Sequence, residues 1–139
     1  MFVDTFEARF EHVADSIDRA LDHLISRGID DSLASICMLA LTEAINNVVE
    51  HAYKEDTSGD IELKIHVNQG SLIFQILDTG VEPPDNIFSA NNGMPNPEDL
   101  PEGGWGLAVI DTVMDDITYS NLNGINQLEL VKRIEPWAI

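Results

Sequence analysis

The chain has 139 residues, 44% of them apolar, which is the size and composition of one globular domain rather than of a disordered segment. Twenty-five acidic residues against seven basic ones give a net charge of −18, a surface that repels nucleic acid and anionic membranes and suits either a basic protein partner or simply high solubility. A single cysteine, Cys37, rules out an internal disulfide and any cysteine-based metal site. Its apolar neighbours at helical spacing make it a buried, inert thiol. The first ten residues lack the basic-then-apolar order of a signal peptide and the apolar runs are short, so a cytoplasmic location is expected.

A short strand is expected over 3–9. From Phe10 to Arg27, apolar Phe10, Val13, Ile17, Leu21, Leu24 and Ile25 recur at three- and four-residue spacing, predicting an amphipathic helix ended by Gly28. A second helix is expected to begin at Asp31 or Ser32, either of which can cap it, and to run to about Tyr53. The period then changes to two. Ile61, Leu63, Ile65 and Val67 alternate with Glu62, Lys64 and His66 in a strand with one wet face, and residues 72–77 return beside it.

Residues 79–103 hold five of the six prolines, a long loop of the sort that forms a functional lid or a disordered segment. A third helix is expected over 105–114, then strands over 117–122 and 125–134 joined at Asn123-Gly124. Hairpins with interspersed helices predict a single α/β domain over 1–139. Its form is a two-layer sandwich, with a mixed, mostly antiparallel sheet covered on one face by about three helices.

Three patches carry chemistry. On a helical wheel of about 100° per residue, Glu43, Asn47 and His51 form a ladder at i, i+4, i+8, opposite Ala44, Ile45, Val48, Val49 and Ala52. A carboxylate beside an amide suits Mg²⁺, which takes few protein ligands, or proton transfer from an attacking hydroxyl. Thr42, Asn46 and Glu50 share that arc, so the ladder can equally be a solvated face, although paired asparagines are poor helix formers. The second patch is Asp78-Thr79-Gly80 at a strand end. An acceptor there, with a glycine giving close backbone access, can recognise an exocyclic amine, or the triplet is an ordinary turn. The third is the run 102–107, Glu-Gly-Gly-Trp-Gly-Leu, opening an apolar helix. It either aims backbone amides at an anion or is a plain linker. No lysine or arginine lies between Lys64 and Lys132, so a phosphate bound there needs backbone amides and a metal to balance it.

In order and spacing these stretches (41–53, 78–80, 102–107, with Met114-Asp115 and the closing strand 128–133) resemble the Bergerat nucleotide-binding fold. Within that superfamily the chain is most similar to the anti-sigma-factor serine kinases. The resemblance implies roles for the matching residues. Glu43 would be the general base and Asn47 the Mg²⁺ ligand, with His51 lining the site. Asp78 and Gly80 would meet adenine. Gly103, Gly104 and Gly106, with Leu107, would wrap the phosphates of ATP under a lid over 79–103. It further implies phosphorylation of a STAS-domain antagonist that competes with a sigma factor for the kinase, and it is compatible with a homodimer. No role with nucleic acid or membrane is implied. A non-catalytic partner-switching module, with nucleotide only structural, carries the same sequence features. The chain departs from the family pattern at Val81-Glu82-Pro83-Pro84, at Trp105, and at Ile125-Asn126, where many relatives carry Gly-Thr.

Overall fold

The computed structural model describes residues 1–52, 59–80 and 105–134. Along the chain run β1 (Phe2–Glu7), α1 (Phe10–Ser26), α2 (Asp31–Ala52), β2 (Asp60–Val67), β3 (Ser71–Asp78), α3 (Trp105–Val113), β4 (Asp116–Leu122) and β5 (Ile125–Arg133). The strands form one sheet in the order β1-β2-β3-β5-β4, and every pairing among the described residues is antiparallel. The final hairpin brings β5 back between β3 and β4, which sets Asp78 directly opposite Asn126.

Local chemistry fixes the element ends. Gly28 sits at φ 86, and the amides of Gly28 and Ile29 donate to the carbonyls of Ile25 and Leu24, closing α1 with a glycine-dependent motif. The cap of α2 is one residue earlier than expected. Asp30 Oδ2 accepts from the amides of Ser32 and Leu33, leaving Asp31 inside the first turn where its charge suits the helix dipole. Asn123 and Gly124, both at positive φ, form the two-residue turn between β4 and β5.

All three helices lie on one face of the sheet and share one core. Ile61, Leu63, Ile65, Leu72, Phe74, Ile76, Leu128 and Leu130 project from the strands to meet Val13, Leu24, Leu41, Ala44, Ile45 and Ile110. Each such large side chain adds about 1.5–3 kcal/mol on burial. By length and composition α2 is apolar enough to cross a bilayer, but half of that stretch is buried inside the domain. Its apolar residues are the hub of the core, packed against α1 and α3. Cys37 is fully buried there, as expected.

Polar contacts tie the periphery. The hydroxyl of buried Ser16 and the guanidinium of Arg19 both donate to Asp4 Oδ2, linking α1 to β1. Arg9, Arg19, Lys64, Lys132 and Arg133 each lie within 3.9 Å of a carboxylate.

Candidate active site

The ladder on α2 is only partly solvated. Glu43 and Asn47 are half-buried, as are Thr42 and Asn46, and only Glu50 is exposed. On the opposite side Ala44, Ile45, Val48 and Val49 are buried in the core. The reading of this arc as a plain solvated face therefore fails for four of its five described polar residues. Thr42 is locally satisfied, its hydroxyl donating to the carbonyl of Met38 at 2.7 Å. Asn47 is not: its side-chain nitrogen is buried and meets no acceptor among the described residues. Leaving a buried amide donor unpaired costs about 1–3 kcal/mol, and such groups commonly mark where a ligand completes the bonding. The side chains of His51 and Ala52 lie outside the described residues.

The inner face of the sheet turns from apolar to polar at its last row. Ile76 and Leu128 are succeeded by Asp78 and Asn126, facing each other across β3 and β5, and Asn121 of β4 continues the row. Asp78 is 6% exposed and Asn126 is 2% exposed. Asn126 Nδ2 donates to Asp78 Oδ1 at 2.8 Å and to the carbonyl of Gly80 at 3.1 Å. The Gly80 amide donates to the same Oδ1 at 2.9 Å. Behind them, the Tyr119 hydroxyl and Asn121 Nδ2 donate to Asn126 Oδ1 at 2.6 and 2.7 Å. Burial raises the Asp78 carboxyl above its ordinary range, while the bonds from Asn126 and Gly80 hold it down in part.

Gly103 and Gly104 lie outside the described residues, as does nearly all of the expected lid over 79–103; Thr79 and Gly80 are its described start. Gly106 and Leu107 fall in the first turn of α3, without a described side chain for Leu107. Ala108, Ile110 and Met114 bury α3 against the core. Because α2 packs on both α3 and β3, the three elements that carry the candidates adjoin.

Sequence reasoning gave Tyr119 and Asn121 no role and noted Asn126 only as a departure from a family pattern. The alternation of β5 held the signal. Asn126 occupies the inward register shared by Leu128 and Leu130, where a buried polar side chain needs partners.

Among the described residues no group of three or more His, Cys, Asp or Glu side chains could hold a metal. A half-buried amide next to one carboxylate still fits a hard cation that draws its other oxygens from phosphate and water.

A five-stranded antiparallel sheet covered on one face by helices, with a buried carboxylate ending its central strand, is a two-layer α/β sandwich. Residues 6–132 match the histidine kinase-like ATPase domain, and the chain belongs to that family. Among curated proteins it is 37% identical over 94 residues to the serine-protein kinase RsbW of Bacillus cereus, covering 65% of this chain. It is 33% identical over 91 residues to RsbW of Oceanobacillus iheyensis, covering 63% of this chain. The chain spans 58% of the length of each of these relatives. Among solved structures, the RsbU and RsbW domains of a Mycobacterium tuberculosis protein superpose with a TM-score of 0.67 at 20% identity, over 95% of this chain and 31% of that one. The catalytic domain of histidine kinase ThkA matches over 100% of both chains with a TM-score of 0.56 at 14% identity. These two likenesses concern the fold.

Proposed function

We propose that this chain is an ATP-dependent protein serine/threonine kinase that acts as a cytoplasmic anti-sigma factor. Its acceptor is a serine or threonine on a STAS-domain antagonist, whose unphosphorylated form competes with a sigma factor for the kinase. The observation that carries the reading is the α2 face. A carboxylate and an amide one helical turn apart are both half-buried in an ATPase-family domain, and the amide nitrogen is unpartnered.

In this reading the Asn47 carboxamide oxygen would hold Mg²⁺, and its unpartnered nitrogen would be available to a phosphate oxygen. Glu43, one turn before it, accepts the proton of the acceptor hydroxyl as that oxygen attacks the γ-phosphorus, the bond from γ-phosphorus to the β,γ-bridging oxygen breaks, and ADP leaves with that oxygen. Asp78 accepts from the adenine amino group and Gly80 lets the base approach. His51 lines the site, and the amides of Gly103, Gly104 and Gly106, at the start of α3 with Leu107, face the phosphates. Bound Mg²⁺ supplies charge neutralisation that side chains here do not, since no lysine or arginine occurs between Lys64 and Lys132.

The test is incubation of the purified chain with γ-labelled ATP and the partner it captures from its own cell. Label is expected on a serine or threonine of the partner, lost in Glu43→Ala, and ATP affinity is expected to collapse with chelator. Tight partner binding with no transfer would leave a non-catalytic partner switch in place of a kinase.

A further inference from the structure

The polar row that ends the inner face of the sheet does more than fill space. Asn126 Nδ2 reaches two groups that can only accept, the Asp78 carboxylate and the Gly80 carbonyl. Turning the amide over would set its oxygen against both, so its orientation is fixed from that side. On the other side its oxygen takes the two bonds from Tyr119 and Asn121. All of the amide's bonding is thereby committed, in a setting where Asn126 is 2% exposed.

The consequence falls on Asp78. Its Oδ1 accepts from both Asn126 Nδ2 and the Gly80 amide, while Oδ2 takes no bond within the described residues. Gly80 is in turn held at both its N–H and its C=O. We infer that Asn126, braced by Tyr119 and Asn121, is a positioning residue that presents Asp78 Oδ2 as the open acceptor for the exocyclic amine of the bound base. This inference rests on the nucleotide-binding reading above. Tyr119 and Asn121 bond to Asn126, so they act on Asp78 through one residue and on the base through two.

The experiment is a binding cycle. Affinities for ATP and for purine riboside triphosphate, which lacks the amine, are measured by calorimetry on the wild-type chain, Asn126→Leu and Tyr119→Phe. A hydrogen bond to a charged group predicts a wild-type preference for ATP of about tenfold or more. The preference should fall below about threefold in Asn126→Leu and to an intermediate value in Tyr119→Phe, with affinity for the amine-free nucleotide preserved. A cooperatively folded Asn126→Leu that keeps the wild-type ratio, or that weakens both nucleotides equally, overturns the inference. If Asn126→Leu does not fold, Tyr119→Phe decides in the same way, an unchanged ratio being the refuting result. A wild-type chain that binds neither nucleotide overturns the nucleotide-binding reading itself, and the inference with it. A wild type that discriminates as strongly as its variants overturns the inference alone.

Discussion

Replacing Asp78 by asparagine separates the stability of the sheet end from its recognition chemistry. The two side chains have the same shape, and an asparagine oxygen at the Oδ1 position can keep the bonds from Asn126 Nδ2 and the Gly80 amide. What changes is the other arm, where an acceptor oxygen becomes an NH₂ donor. The variant also removes a buried charge. Burial raises the folded-state pKa of Asp78 above its unfolded value, so only in the pH window between those two values does the native chain hold a proton that the unfolded chain has released. Stability contributed by this group is therefore present at low pH and declines as pH rises through that window. Each unit of elevation corresponds to about 1.4 kcal/mol, or roughly 4–5 °C in Tm for a chain of this length. Asp78→Asn lacks this decline, so at neutral pH it should melt at or above the wild-type temperature, with the advantage shrinking as pH drops toward about 4. Binding moves the other way. Losing a charge-assisted bond worth about 1.5–3 kcal/mol lowers ATP affinity roughly tenfold to a hundredfold. Circular-dichroism melts across pH, paired with calorimetric ATP titrations, read both effects. A variant that is destabilised at neutral pH yet binds ATP like the wild type would refute the reasoning.

Asp4→Ala leaves the hydroxyl of buried Ser16 without its acceptor and should cost about 1–3 kcal/mol in urea unfolding, partly restored by adding Ser16→Ala. Arg19→Ala alone should cost at most about 1 kcal/mol, because that side of the contact faces water; an equal loss would mean the ion pair holds β1 to α1. Burial pushes the Cys37 thiol up to about 11, so at pH 8 roughly one molecule in a thousand carries a thiolate. Modification by a disulfide reagent should track global unfolding in denaturant, and rapid labelling of the native chain would contradict its burial.

Much of the fold was legible because period and punctuation agreed. Three- and four-residue spacing ended by Gly28 gave α1, strict alternation gave β2, and Asn-Gly gave the last turn with its positive φ values. The cap of α2 was misplaced because three consecutive residues, Asp30, Asp31 and Ser32, can all cap a helix. Choosing among them takes backbone geometry that composition does not encode. The wheel placed Glu43 and Asn47 together but could not say whether their arc was wet, since partial burial depends on the packing of α3 and β3 against α2. The Asp78–Asn126 contact was hidden for a different reason. It joins residues 48 apart in sequence, and only the return of β5 beside β3 brings them into register.

The pairing of the cations leaves the domain with an almost uncompensated negative field. Five basic side chains are already engaged by neighbouring carboxylates, against an overall charge of −18. A diffusing polyphosphate meets a repulsive barrier before any short-range contact forms. Added salt, which shortens the Debye length from about 10 Å at 0.1 M to about 3 Å at 1 M, lowers that barrier. Encounter with an anionic ligand should thus quicken as ionic strength rises, while capture of a basic protein slows, two opposite kinetic slopes set by one electrostatic surface.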